Sequence, residues 1–144
     1  MRKKEPRVTE KPEGVNYLLY PDPYADRHEI DIVEVAPHMA RLQMLVGEWQ
    51  LNGLGVCHGG AIFTLCDHAQ AAACHTVGPE IAMQGNINYM SSGKLGDLLT
   101  ATARVLHVGR KTFVVSVLVT NQDNRNIANA TFTLSRLPEP GESA

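Results

Sequence analysis

One stretch of the sequence has the length and composition of a long helix, and the segments after it alternate between apolar and polar residues as strands do. It covers residues 57–76 and carries Ala, Leu, Ile, Phe and Cys on every side of a helical wheel. A helix that is apolar all round is enclosed by protein instead of lying on a wet surface. The sequence therefore predicts a fold organised around one enclosed helix.

This helix carries two features that point to chemistry. Asp67 lies in its middle, and a carboxylate is costly to remove from water unless it is paired. His58-Gly59-Gly60 opens the helix, where unpaired backbone N–H groups and the positive end of the dipole favour an oxyanion. An acid and an oxyanion site are thus available, although Asp67 pairing with a histidine or a backbone group across an interface is an equal alternative.

The spacing of these two features constrains how they can work together. Gly59 and Asp67 are separated by eight positions, which is about 12 Å along a helix axis. One reacting carbon cannot contact both in a single chain. Two antiparallel helices related by a two-fold axis would bring Gly59 of one to Asp67 of the other. We therefore predict two equal sites, each shared between subunits.

Alternating segments predict a sheet around the helix. The candidate strands are residues 28–35, 38–46, 81–89, 99–105, 113–119 and 128–134. A change of parity in the first indicates a bulge, Asn52-Gly53 indicates a turn before the long helix, and a short helix is expected near residues 24–26. The fold class is α+β, an antiparallel sheet of about six strands wrapped around one central helix.

Length and composition limit the organisation of the chain. With 144 residues we expect a mobile tail over residues 1–15, a single domain over 16–137 and a C-terminal tail over 138–144. A net charge of −2 gives no reason to expect nucleic acid, and no run is long enough to span a membrane. Three cysteines without a Cys-x-x-Cys pair indicate buried thiols in a reducing cytoplasm.

A series of short motifs surrounds the helix in a specific order. They are Asn52-Gly53 before it, His58-Gly59-Gly60, Phe63, Leu65-Cys66-Asp67, Ala69, Ala71 and Ala72 within it, and Asn86-Ile87-Asn88-Tyr89-Met90-Ser91 and Lys94-Leu95-Gly96-Asp97 after it. Together they resemble the hotdog-fold acyl-CoA thioesterases, specifically the phenylacetate-degradation (PaaI-like) branch. The resemblance covers roughly residues 22–136.

The resemblance implies an enzyme that hydrolyses acyl-CoA to free acid and CoA, with no cofactor and CoA present only as part of the substrate. It implies aromatic acyl groups of the phenylacetyl or hydroxyphenylacetyl type and a homotetramer built as a dimer of dimers. Asp67 of one subunit would be the nucleophile or general base, and Gly59 of the other would polarise the thioester carbonyl. Asn52 and His58 would orient water or the leaving group.

The same resemblance implies two regions that bind CoA. Residues 89–94 would line the pantetheine path, and residues 107–112 would contact the nucleotide. The residues concerned are Gly60, Tyr89, Met90, Ser91, Ser92, Lys94, His107, Gly109, Arg110 and Lys111. The sequence departs from the animal relatives at Ala82, where they carry a serine that assists the reaction.

Alternatives stay open for several of these residues. His58 is equally well explained as a helix cap, Asn52 as part of an Asn-Gly turn, and Arg110 and Lys111 as a solvated turn. His68 and His75 share a helical stripe, but a third ligand is missing, so we predict no metal site. Rival functions are a hotdog enoyl-CoA hydratase or dehydratase that uses a histidine, and a non-catalytic acyl-CoA-binding module.

Overall fold

The computed structural model describes residues 22–139 and 141–142. The tail expected over residues 1–15 lies outside the described part, as do residues 16–21 of the expected domain and part of the expected C-terminal tail. None of the described helices is long and apolar enough to cross a bilayer.

The described chain folds into a short helix, a long helix and six strands, which confirms the predicted fold class. In chain order they are α1 (Pro23–Arg27), β1 (Asp31–Ala36), β2 (Met39–Leu45), a 3-10 turn (Glu48–Gln50), α2 (Gly59–Cys74), β3 (Glu80–Tyr89), β4 (Leu98–Val108), β5 (Thr112–Thr120) and β6 (Asn126–Arg136). Asp22 caps α1 by accepting from the backbone N–H groups of Tyr24 and Ala25. The 3-10 turn was not predicted, because three residues carry no periodicity.

All six strands form one antiparallel sheet in the order β1-β2-β4-β5-β6-β3. The bulge predicted in β1 is present between Ile32 and Glu34. After α2 the chain enters β3, which pairs with the last strand, β6, and therefore lies at one edge of the sheet. The other edge is β1.

The core lies between the inner face of the sheet and one side of α2. Leu65, Cys66, Ala69 and Ala72 of the helix are fully buried, and the largest side chains opposite them include Phe113 and Phe132. Small residues on the helix let it approach the sheet closely, because each alanine leaves room for an opposing aliphatic or aromatic group.

One strip of α2 is not covered within a single chain. Gly60 and Asp67 are exposed, and Phe63, Thr64 and Ala71 are half-buried. The enclosure expected from the apolar composition is therefore complete on the sheet side only. Asp67 lies on the open strip.

The edge strand β3 is exposed over nearly its whole length. Ile81 and Met83 are 59% and 63% exposed, and the pairing with β6 is irregular between Ala82 and Gln84. A long exposed edge with apolar side chains templates pairing with another chain unless it is covered. The open strip of α2 and the open edge of β3 are the two surfaces that one chain leaves unfinished.

Candidate active site

The entrance of α2 is a capped turn built from His58. His58 is the N-cap residue with extended backbone, and its Nδ1 accepts from the Gly60 N–H at 2.8 Å. Its carbonyl accepts from the N–H groups of Ala61 and Ile62. Because Nδ1 is an acceptor, the neutral ring carries its proton on Nε2. The side chain of His58 therefore caps the helix, as one of the alternatives for this residue predicted.

Gly59 is the first residue of α2, and its N–H finds no hydrogen-bond partner among the described residues. Its carbonyl accepts from the Tyr89 hydroxyl at 2.9 Å. A Cβ on Gly59 would meet the Tyr89 ring and hydroxyl at 3.0 Å, so the tyrosine or the turn would have to shift by a few tenths of an ångström to admit a side chain. The turn therefore presents one unpaired, dipole-supported donor in a fixed orientation.

Tyr89 holds this turn from the edge strand β3. Burial raises the pKa of its hydroxyl above the ordinary value, with a smaller contribution from Cys66, so the group stays protonated and can donate. The resemblance assigned Tyr89 to CoA binding; the structure adds a hydrogen bond to the Gly59 carbonyl at the start of α2. The position of the Gly59 N–H is thereby tied to the placement of β3.

Asp67 lies two turns further along the same helix. Its Oδ1 accepts from Gln70 Nε2 at 3.2 Å, and the residue is exposed. Since Gly59 and Asp67 belong to one continuous helix, the separation of about 12 Å holds within a chain. A single subunit contains both groups but does not bring them together.

Asn52 closes the loop that leads into α2. Its Oδ1 accepts from the N–H groups of Leu54 and Val56, and its own N–H donates to the Val56 carbonyl. Two backbone donors at Oδ1 fix which end of the amide is oxygen. The expected turn chemistry is therefore real, and the Nδ2 group is left to donate to whatever occupies the adjacent groove.

Six of the predicted site residues line one groove of about 390 Å³, here called the Gly59 groove. They are Asn52, Gly59, Tyr89, Met90, Ser91 and Ser92. Residues 89–92 reach it because Cys57, just before the helix, donates its N–H to the carbonyl of Gly93. Lys94 is exposed on the same loop, where its N–H donates to Asp97 Oδ2.

Four predicted residues lie at the opposite end of the molecule in the same chain. His107, Gly109, Arg110 and Lys111 form the hairpin between β4 and β5. The Lys111 carbonyl accepts from the Arg136 N–H. Arg136 lies opposite Glu80 in the register of β6 with β3, and the Glu80 side chain contacts His75 at the end of α2. The ten steps of β4 put this hairpin about 33 Å along the strand from Leu98. One chain therefore does not bring it to Gly59.

Arg125 is a cation near the groove that no sequence pattern predicted. Arg125, in the turn before β6, donates through Nε to Ser91 Oγ at 3.1 Å. The two residues are 34 positions apart, and only the pairing that places Ile127 beside Met90 and Ser91 brings them together. No local pattern at Arg125 signals this.

His68 of α2 and His75, which follows its last residue, each contact a carboxylate. His68 Nδ1 lies 3.2 Å from Asp22 Oδ2, and His75 Nε2 lies 3.3 Å from Glu80 Oε1. Burial lowers the pKa of His68, and the carboxylates of Asp22 and Asp67 oppose that shift. Across the described residues no three His, Cys, Asp or Glu side chains are grouped to hold a metal ion.

The three cysteines are free and buried. Burial, with help from Asp97, raises the pKa of Cys57 to about 11. Burial likewise raises the pKa values of Cys66 and Cys74 to about 12, with Asp67 and Glu80 adding to the shifts. The thiols are therefore protonated at neutral pH and are not nucleophiles.

Comparison with known proteins agrees with this geometry. The model of the thioesterase superfamily matches residues 54–128, which span α2 and the strands as far as β6. The chain belongs to the thioesterase superfamily. This membership confirms the predicted enzyme class, a thioester hydrolase, and the match covers Gly59, Asp67 and the whole of the segment 89–94.

Individual relatives extend the similarity. The chain is 39% identical over 100 residues to acyl-coenzyme A thioesterase PaaI of Escherichia coli, covering 69% of this chain and 71% of that one. The structure of E. coli PaaI superposes with a TM-score of 0.81 and 35% identity over 83% of this chain and 87% of that one. The smu.793 protein of Streptococcus mutans, solved bound to acetyl CoA, gives a TM-score of 0.74 and 40% identity over 76% and 90% of the two chains.

Proposed function

We propose that this protein hydrolyses acyl-CoA thioesters with aromatic acyl groups, in a site shared between two subunits. The observation that carries the proposal is the Gly59 N–H at the start of α2, which has no partner within the described part of the chain, with the exposed Asp67 carboxylate on the same helix. Relatives named as acyl-CoA thioesterases support the substrate class. The family's phenylacetate branch supports the aromatic acyl group.

The unfinished surfaces support a dimer. Pairing of two β3 edges would cover Ile81 and Met83 and would set two α2 helices antiparallel beside each other. In that arrangement Asp67 of the partner subunit approaches Gly59, and so does the partner's hairpin with Arg110 and Lys111. The residues that one chain keeps apart would be brought together at the interface.

Each group then has a defined part in the reaction. The Gly59 N–H stabilises the oxyanion that forms on the thioester carbonyl. Asp67 of the partner subunit either attacks the carbonyl or removes a proton from the attacking water. Asn52 Nδ2 donates a hydrogen bond to the departing sulfur. Attack by the carboxylate expels the CoA thiolate and forms a mixed anhydride, which water opens either at the Asp67 carbonyl or at the acyl carbon. In a single turnover in ¹⁸O-labelled water, label in Asp67 identifies this route. Trapping the anhydride with hydroxylamine identifies it when water opens the acyl carbon and the label goes to the product acid.

Charged groups support binding of the CoA phosphates. Arg125, held beside the groove by Ser91, and Arg110 and Lys111 of the partner subunit are suited to phosphate oxygens. No cofactor has a part in this scheme. We further propose a dimer of dimers in the cytoplasm, a location with which the three free thiols are compatible.

The hydratase alternative needs a histidine that is free to act as an acid or base. His58 Nδ1 is bonded to the Gly60 N–H, and His68 is buried against Asp22. No observation therefore favours hydration. A binding module without turnover differs from our proposal only in rate, and steady-state hydrolysis by the purified protein separates them.

A complementation experiment tests the shared site. Subunits carrying Gly59→Ala and subunits carrying Asp67→Asn are co-expressed; each variant alone is inactive. Half of randomly assembled dimers are hybrids, and each hybrid holds one site with both native residues, so activity returns to about a quarter of the wild-type value. Absence of any recovery in purified hybrids, with both single variants folded, would contradict the shared site.

A further inference from the structure

A second cavity adjoins the turn formed by residues 58–60 at the start of α2. It has a volume of about 380 Å³, and we call it the Trp49 cavity. Tyr24, Arg27, His28, Trp49 and Leu51 line it, together with His58 and Gly60 of the turn. The Gly59 groove and the Trp49 cavity therefore meet at this turn, whose Gly59 N–H is proposed to bind the thioester oxygen.

Three rings, those of Tyr24, His28 and Trp49, line this cavity beside the side chain of Arg27. The His28 ring lies between two others, with centroids 5.2 Å from Tyr24 and 4.9 Å from Trp49, both tilted. Burial lowers the pKa of His28, so at neutral pH the ring is uncharged. A flat apolar group entering the cavity would meet ring faces and edges on the α1 side.

Trp49 is held in place although its side chain is 62% exposed. The next residue, Gln50, is buried; its Oε1 accepts from the Gly47 N–H at 2.8 Å and its Nε2 lies 3.3 Å from His28 Nδ1. The Gln50 carbonyl also accepts from the His58 N–H at 2.7 Å. The turn that carries Trp49 is thus bonded directly to the residue that caps α2.

The two cavities divide the two halves of a thioester between them. Polar groups in the Gly59 groove (Ser91 and Ser92) suit the amides of pantetheine. Aromatic rings in the Trp49 cavity suit an apolar acyl group, and its volume lies in the range of about 300–1,000 Å³ typical of ligand pockets. A carbonyl at Gly59 would have the sulfur on one side and the acyl chain on the other.

We propose that the Trp49 cavity receives the aryl end of the acyl group and that Trp49 is the residue that determines preference for aromatic over short aliphatic thioesters. This inference rests on the proposed function and deepens it. Trp49 contacts the part of the substrate that does not react, so its removal weakens discrimination and leaves the hydrolytic groups in place.

The sequence offers a direct probe, because Trp49 is the only tryptophan of the chain. The thioether 2-phenylethyl-CoA has no thioester carbonyl, so the protein cannot cleave its carbon–sulfur bond by hydrolysis. Titration of the full-length protein with this thioether is expected to quench and shift the tryptophan emission saturably, whereas CoA alone leaves the emission within a few per cent of its starting value. An identical response to both would overturn the proposal.

Kinetics of variants provide the second arm. Trp49→Ala is expected to raise KM for phenylacetyl-CoA about tenfold and to leave kcat/KM for acetyl-CoA within about twofold, with Trp49→Phe in between. Leu118→Ala is the control, because Leu118 is another exposed apolar residue, on the outer face of β5. Leu118→Ala should leave KM and kcat/KM unchanged for both thioesters.

The two arms distinguish failure of this inference from failure of the function. If the wild-type protein cleaves both thioesters and Trp49→Ala leaves their ratio unchanged, the cavity assignment is wrong and the function stands. If the wild type cleaves neither, the function fails, and the emission titration still decides whether the cavity binds an aryl group. A loss of assembly in Trp49→Ala, seen by sedimentation, would make Trp49 an interface residue and overturn the proposal.

Discussion

The two ends of α2 are built in opposite ways. At the C-terminal end the last backbone carbonyls find partners: the Ala73 carbonyl accepts from Thr76 Oγ1 at 2.7 Å and the Cys74 carbonyl accepts from two N–H groups. His75 Nε2 contacts Glu80 in a buried pair, and its buried Nδ1 has no partner among the residues that the structure describes. At the N-terminal end the Gly59 N–H has no partner among the described residues, and two cavities meet at the turn that carries it.

The contrast shows how one helix separates stability from function. Buried polar groups that are satisfied hold the fold, because leaving one unpaired costs about 1–3 kcal/mol. An unpaired donor is tolerated only where a ligand or water can reach it. A substitution at the closed end should therefore change stability and spare catalysis, and a substitution at the open end should do the reverse.

Gly59→Ala should have the largest effect, at the open end. The new Cβ would lie 3.0 Å from the Tyr89 ring and hydroxyl, so the turn or the tyrosine must shift. The Gly59 N–H would then no longer point at the thioester oxygen. Loss of one oxyanion donor lowers kcat by about 100- to 1,000-fold. Steady-state hydrolysis with a thiol reagent measures this, and the melting temperature should change little.

Two further variants sharpen that result. Gly53→Ala is the matched control, because nothing lies within 4 Å of its added Cβ, and it should keep near-wild-type kcat.

Tyr89→Phe removes only the hydroxyl that donates to the Gly59 carbonyl and should lower kcat about five- to tenfold through one lost hydrogen bond. If Tyr89→Phe raised KM alone, Tyr89 would bind substrate and would not position the turn.

His75→Ala should show the reverse pattern at the closed end. The Glu80 carboxyl, on a side chain only 4% exposed, would lose its partner, and the free energy of unfolding should fall by about 3 kcal/mol. Urea denaturation measures the loss, and kcat per folded molecule should stay within twofold of wild type. Glu34→Gln, which breaks the exposed pair with Arg41, should cost well under 1 kcal/mol.

The smallest effect concerns pH and His68. Because burial lowers its pKa in the folded state below the ordinary value of 6.5, the unfolded chain takes up the proton first as the pH falls. His68 therefore stabilises the fold fully above about pH 6.5, and this contribution is lost as the pH drops toward the folded pKa. Urea midpoints from pH 7.5 to 5 should fall less in His68→Gln than in wild type.

An exposed histidine provides the control for that pH series. His38 has φ of 63°, a conformation that asparagine tolerates well, so His38→Asn should preserve the fold and the full pH dependence. A pH dependence that vanished in His38→Asn, or that was unchanged in His68→Gln, would contradict the role given to His68.

Periodicity was enough to predict the long helix and all six strands, because the helix and every strand except β3 have buried residues that repeat in the sequence. The pattern of β3 was also read correctly, yet its apolar residues Ile81 and Met83 are exposed in one chain. Alternation reports that a face is to be buried and does not say by which molecule. The same ambiguity explains why α2 looked enclosed and has an open strip.

Contacts between distant segments were beyond the reach of pattern. Arg125 meets Ser91, and Trp49 meets His28, only after β6 and α1 are in place. Asn52 and His58 could be singled out from the sequence. Only the structure shows that Asn52 Oδ1 and His58 Nδ1 each accept a backbone N–H, which makes one a turn residue and the other a helix cap. The hairpin 107–111 was assigned to the site from resemblance, and a single chain leaves it at the far end.

The pairing of β3 with β6 also has a bearing on biosynthesis. On the ribosome β3 is made well before β6, the strand to which it is hydrogen-bonded. Until that final strand emerges, nothing fixes the tyrosine that steadies the helix entrance. The helix entrance of a nascent chain therefore lacks this support until β6 has been translated and has paired with β3.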